Sequence, residues 1–206
     1  MTYEFCNIGD YTEAQYDAMY RAASPERRAR ADRFRHEDDR RRCLCADMLA
    51  RRMLAKTSGI APEDISFIYG DKGKPYANLP LHFSVSHSGE WVLCAVSDAP
   101  VGADIELIKP FRAGMVARYF TDAEAAYVWG GNRPHDGKVT DADTCARFYR
   151  VWTAKESFVK MTGTGISTDL HAVAFDPDAQ TVCGIKLFMP NAPEGYVISI
   201  LKSDLA

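Results

Sequence analysis

Between residues 37 and 56, Leu44, Cys45, Met48, Leu49 and Met53 recur three and four positions apart, with arginines filling the gaps. That period predicts a helix with one apolar face and a basic back, ended by Thr57-Ser58-Gly59. Just upstream, Ser24-Pro25-Glu26 offers a capping hydroxyl and a proline at the first helical position, so a helix should start there. A second strong helix is predicted over residues 147–161, stopped by Gly163 and Gly165. Its Val151, Ala154 and Phe158 should pack inward, while Trp152, Glu156 and Lys160 share another face at i, i+4 and i+8. Thr121-Asp122-Ala123-Glu124 matches a capping box and should open a further helix.

The period changes to two in the middle of the chain. Strands are predicted over 65–69, 81–86, 91–97 and 101–106, with His87-Ser88-Gly89 and Asp98-Ala99-Pro100 as turns. Short turns between the last three imply an antiparallel meander, and the middle strand, apolar on both faces, should be central and buried. In the third, Val101, Ala103 and Ile105 face one way and Gly102, Asp104 and Glu106 the other. Further strands are expected over 172–175, 184–189 and 196–201, and the polar stretch 130–144 reads as a loop. Helices mixed with antiparallel strands make the fold α+β.

At 206 residues and 47% hydrophobic content, the chain can bury one ordinary core or two small packed halves. The longest apolar run, Trp91 to Val96, is far short of the roughly 20 residues that span a bilayer. The N-terminus lacks the basic and apolar regions of a signal peptide, so a cytoplasmic protein with no membrane association is expected. Six cysteines without a C-x-x-C agree and should be reduced thiols. Charge is unevenly spread: residues 21–56 hold 12 Lys or Arg against 6 Asp or Glu, a local excess of +6 in a chain of net charge −3. Such a segment is either a solvated, ion-paired helix or a surface for an anionic partner. Few aromatics interleave the arginines and no helix-turn-helix or zinc-finger pattern occurs, so a nucleic-acid partner is not expected.

Four features could carry chemistry. Asp104 and Glu106, roughly 7 Å apart on one strand face, either face solvent or flank a hard cation such as Mg²⁺, which prefers oxygen ligands and shares its shell with phosphates. Glu156 and Lys160 are either a surface ion pair or a third carboxylate beside a phosphate-binding lysine. His87 lies at a sheet end, and Gly73-Lys74-Pro75 places a lysine in a turn. The phosphate loop, dinucleotide fingerprint and nucleophile elbow are all missing.

These pieces stand in a recognisable order. Phe83-Ser-Val-Ser-His87-Ser-Gly-Glu-Trp-Val, then Val101-Gly-Ala-Asp104-Ile-Glu106, then Trp152-Thr-Ala-Lys155-Glu156-Ser-Phe-Val-Lys160 resembles the 4′-phosphopantetheinyl transferases, in their broad-specificity, surfactin-synthetase-activating type. Ser24-Pro-Glu-Arg-Arg, Arg33-Phe-Arg-His36 and Gly73-Lys74-Pro75 extend the likeness over roughly residues 20 to 175. The resemblance implies a pseudo-twofold α+β protein of two similar halves, 1–100 and 101–206, with coenzyme A as co-substrate in the cleft between them. It implies Asp104, Glu106 and Glu156 as Mg²⁺ ligands and Lys155 and Lys160 near the diphosphate. Arg27, Arg30 and His87 would surround the 3′-phosphate, with Lys74 and Ser86 on the nucleotide side. Asp104, Glu156 and Lys160 would carry the transfer of the phosphopantetheine arm to a serine of an acyl or peptidyl carrier protein. Glu124 matches a family acidic position, and Cys43 stands where a hydroxyl residue is common, so one phosphate contact should be lacking. Residues 130–144 and the helix from Thr121 are the expected carrier contacts. A chain holding both halves of its site should act as a monomer. The alternative is a non-catalytic module that binds coenzyme A or a carrier protein on the same fold.

Overall fold

A computed structural model describes residues 1–131, 136–165 and 168–203. The first sheet is three-stranded and antiparallel, in the order β1 (Thr2–Asn7), β5 (Trp91–Ser97), β4 (His82–Ser88). Helices α1 (Glu13–Ala22), α2 (Pro25–Ala31) and α3 (Glu37–Ser58) and the small hairpin β2 (Phe67–Tyr69)–β3 (Pro75–Ala77) accompany it. The second sheet runs β6 (Val101–Leu107), β12 (Tyr196–Lys202), β11 (Ile185–Phe188), β10 (Thr181–Val182), β9 (Phe175–Asp176). With it go α4 (Gly114–Tyr119), α5 (Asp122–Trp129), the pair β7 (Phe111–Arg112)–β8 (Lys138–Val139) and the long α6 (Ala142–Thr162). This is the expected α+β architecture.

The helix signals behave as their chemistry requires. Ser24 accepts a hydrogen bond from the Arg27 amide with Pro25 inside the first turn, and Thr121 forms a complete capping box with Glu124. Leu44, Cys45, Leu49 and Met53 of α3 are buried against Val92, Cys94 and Val96 of β5. In α6, Val151 and Ala154 are fully buried and Phe158 partly so. α6 begins five residues earlier than its apolar pattern, because Asp141 caps it by accepting from the Thr144 amide.

The meander is corrected. β4 and β5 pair as expected, but β6 does not ladder onto β5; it pairs along its whole length with β12. The reason is β1, which the polar-apolar pattern does not reveal and which takes the other edge of β5 in register from Thr2–Val96 to Asn7–Trp91. With both edges of β5 filled, β6 stacks on its face instead. Leu93 and Ala95 meet Val101, Ala103, Ile105, Ile198 and Ile200 in a dry seam, while the opposite face of β5 packs on α3. Two-sided burial explains the unbroken apolar run.

The second edge of the seam is polar and is built by β4. Period two sends Ser84, Ser86 and Ser88 to the same face of the first sheet as Leu93 and Ala95, toward β6. Ser84 Oγ accepts from the Ala103 amide at 3.0 Å and Ser88 Oγ accepts from the Leu107 amide at 3.1 Å. Serine hydroxyls thus do between the sheets what backbone groups do within them. His87 is also corrected: it lies inside β4, opposite Val92, and the chain reverses after Ser88.

Candidate active site

α6 crosses β6 closely because Gly102 has no side chain. A Cβ there would stand 1.9 Å from the Ser157 carbonyl oxygen and 2.4 Å from the Met161 amide. Alternation then aims Asp104 and Glu106 at the same helix, and both line one cavity of about 390 Å³ with Glu156, Lys160, Trp152 and His87. Asp104 is 3% exposed. Its Oδ1 accepts from Ser86 Oγ at 2.7 Å and from the Lys160 ammonium at 2.6 Å, and Lys160 also donates to Ser86 Oγ at 2.8 Å. Asp104 Oδ2 is buried with no hydrogen-bond partner. Ser88 Oγ donates to Glu106 Oε2 at 2.6 Å. Burial raises the Glu106 carboxyl above the ordinary range, and the Asp104 charge adds to this. Glu156 is raised by burial first and then by Asp104 and Glu106, with Lys160 opposing.

Two further cavities share walls with this one, and Val85 lines all three. One, of about 260 Å³, lies between the turn carrying Gly73, Lys74 and Pro75 and the end of α6 at Val159 and Lys160. Lys74 reaches across the molecule and donates to the carbonyls of Lys160 and Met161 at 2.7 and 2.8 Å, satisfying the open end of α6. Burial lowers its pKa. The other cavity, of about 190 Å³, is lined by Arg27, Arg30, Tyr69 and His87. Two arginines and an imidazole give it the chemistry to hold an anion. His87 is pulled below the usual imidazole range by its place in the cleft, then by Lys160, Arg42 and Arg30.

Of the residues the sequence singled out, Lys155 falls outside this cleft, and its expected place at the diphosphate is corrected. Its ammonium is 0% exposed, 2.7 Å from an equally buried Glu124 oxygen, and donates to the carbonyls of Leu170 and Val173. Glu124 also accepts from the amides of Thr121 and Phe175. The pair staples α5 and α6 to the start of β9, so Glu124 has no access to a substrate. Cys43 lies behind Arg27, its thiol accepting from Arg27 Nη1 at 3.7 Å. Sequence reasoning passed over Ser88, which holds Glu106, and Asp47, which holds Arg27. The signal for Asp47 was available: it is an acid inside the apolar stripe of α3, and it is 5% exposed. Of the 130–144 stretch, residues 132–135 lie outside the described residues; β8 and the first turn of α6 occupy part of the remainder.

The sequence model described as the 4′-phosphopantetheinyl transferase superfamily matches residues 100–202, and one described as 4′-phosphopantetheinyl transferase, N-terminal, matches residues 10–99. A 4′-phosphopantetheinyl transferase of Bacillus subtilis is 36% identical over 197 residues, covering 89% of this chain and 84% of its own. Sfp of Bacillus subtilis strain 168 is 33% identical, covering 86% and 80%. The gsp transferase of Aneurinibacillus migulanus is 31% identical, covering 85% and 74%. The chain belongs to the 4′-phosphopantetheinyl transferase superfamily.

Proposed function

We propose that this protein transfers the 4′-phosphopantetheine arm of coenzyme A to a serine of an apo acyl or peptidyl carrier protein, releasing adenosine 3′,5′-bisphosphate. The observation that carries the reading is the junction of an acidic cavity and a cationic one along a single cleft. Coenzyme A presents a diphosphate and a separate 3′-phosphate, and the cleft offers Lys160 for the first and Arg27, Arg30 and His87 for the second. In this division of labour residues 1–100 supply the nucleotide wall, with Lys74 and Ser86 beside it, and residues 101–206 supply the acids.

Among the described residues no three His, Cys, Asp or Glu side chains are drawn closely enough together to ligate an ion as they stand. The donor set nevertheless fits one. Asp104 keeps a buried oxygen without a partner, Glu106 and Glu156 are crowded, partly buried carboxyls, and every donor is a hard oxygen. Asp104, Glu106 and Glu156 would hold Mg²⁺, which supplies charge neutralisation at the diphosphate. The chain's own groups do the rest. Glu156, directly or through a water, takes the proton from the carrier serine. The serine oxygen then forms a bond to the β-phosphorus as the bond to the bridging oxygen breaks. Lys160, now spent on Asp104 and Ser86, is placed to stabilise the departing phosphate.

Among the described residues no helix is long and apolar enough to cross a membrane and all six cysteines are free thiols. The free thiols fit a reducing compartment, and a monomer acting in the cytoplasm is part of this proposal. The test is intact-mass measurement of apo carrier proteins incubated with the protein, coenzyme A and Mg²⁺, with an EDTA control. A metal-dependent gain of one phosphopantetheine arm is expected. No gain on any fatty-acid, polyketide or peptide carrier refutes the reading.

A further inference from the structure

The mechanism leaves unexplained a carboxylate in the middle of the apolar face of α3. Asp47 is 5% exposed and sits between two arginines. Its Oδ2 accepts from Arg51 Nε at 2.8 Å, one turn along the same helix. Arg51 is otherwise taken up by the carbonyls of Pro62 and Ile65 and by the face of Phe67, so it is a structural brace. On the other side Asp47 Oδ1 lies 3.2 Å from Arg27 Nε, too far off axis for a hydrogen bond but close enough for a strong charge contact. Arg27 Nη2 donates to Tyr69 Oη at 2.9 Å. The guanidinium is therefore held from behind by Asp47 and by the Cys43 thiol, which accepts from Nη1 at 3.7 Å, and from the side by Tyr69, and Arg27 lines the anion cavity. Arg30 contrasts with it. That arginine lines the same cavity and is exposed, and among the described residues its guanidinium has no hydrogen-bond or ion-pair partner.

We propose that Asp47 is a positioning residue for donor recognition: it fixes Arg27 at the anion cavity, and the held Arg27, rather than the exposed Arg30, discriminates donors that carry a 3′-phosphate from those that do not. The inference rests on the transferase reading for the identity of the anion. An arginine fixed before binding loses little rotamer freedom on contact, so its charge-assisted hydrogen bonds are realised nearly in full. A free arginine on a surface helix loses much of that gain to ordering. Asp47 also offsets the repulsion of bringing Arg27 and Arg51 into one buried layer.

The test compares coenzyme A with 3′-dephospho-coenzyme A, both by calorimetric affinity and by KM for transfer. Asp47→Asn should weaken coenzyme A by about tenfold, one charge-assisted contact's worth, and leave the dephospho donor within about twofold. Arg27→Ala should give the same split, and adding Asp47→Asn to it should change the ratio no further. Tyr69→Phe, which removes only a surface hydroxyl, should move the ratio the same way by a smaller factor, and decides the matter if Asp47→Asn does not fold. The proposal is overturned if Asp47→Asn or Tyr69→Phe weakens both donors equally, or if Arg30→Ala rather than Arg27→Ala collapses the ratio. Discrimination of donors without any transfer would refute the proposed reaction and leave the role of Asp47 standing.

Discussion

Lys155 and Lys160 leave the same helix five residues apart, and each meets one carboxylate at 2.6 or 2.7 Å. Roughly 140° of helix rotation separates them. Lys155 points into the second half, where both partners are 0% exposed and every donor is met by Glu124 or a carbonyl. Lys160 points into the cleft, 30% exposed, on an aspartate whose other oxygen is left over. The comparison teaches that pairing alone does not mark a functional lysine. A sealed pair with all its hydrogen bonds met is a fastening; an open pair with one oxygen unmet is a site in waiting.

The largest expected effect is on the sealed side. Lys155→Met leaves the Glu124 charge buried without its cation, and should cost about 3–5 kcal/mol in urea unfolding. Its transfer rate, measured on the folded fraction, should stay close to wild type. A stable Lys155→Met with lost transfer would reverse the assignment of the two lysines. Lys160→Met shifts the balance toward function: turnover falls by about 10²–10³-fold, while the loss of stability is smaller than for Lys155→Met, because Lys160 opens on solvent and Asp104 keeps its hydrogen bond from Ser86. Gly102→Ala sharpens the contrast from the strand beneath. Its new methyl meets backbone of α6, so it should cost about 1–3 kcal/mol or more. By shifting the helix it should depress turnover beyond what the lost stability explains.

The smallest effect belongs to His87. Its folded pKa lies below the unfolded value, so the unfolded chain binds more protons in the window between them. Stability present above about pH 6.5 is therefore lost as pH falls through the folded pKa. The imidazole is solvent-accessible and faces Arg30 from α2, Arg42 and Asp39 from α3 and Lys160 from α6, so screening keeps the effect under about 0.5 kcal/mol. Ligand-free wild type should lose that much more than His87→Gln between about pH 7.5 and pH 5. An equal loss in both would place the imidazole in bulk water, away from the cationic wall.

Legibility along the chain follows how much each element buries. α3 and α6 pack whole faces, so their periods stand out, and the faces assigned from spacing are the buried ones. β1 and α1 went unseen for the same reason. α1 buries only Tyr16, and β1 buries only Cys6, although its ladder to β5 redirects β6. The stretch 172–175 shows a further limit. Leu170–Ala172 is a 3-10 turn and the strand is only Phe175–Asp176, because the Leu170 and Val173 carbonyls are turned to the Lys155 ammonium.

What the sequence by itself determined is local and angular. Capping hydroxyls set where helices begin, a period of 3.6 sets which side chains share a helix face, and a period of two puts Asp104 and Glu106 together on β6. What only the tertiary structure decided is which neighbour each face meets: that Lys160 opens on a cleft and Lys155 is sealed, that β6 crosses to β12, and that Asp47 stands behind Arg27. Backbone geometry fixes directions within an element. The partner found in that direction comes from contacts distant in the chain, and burial against that partner decides whether a charge becomes a fastening or a reagent.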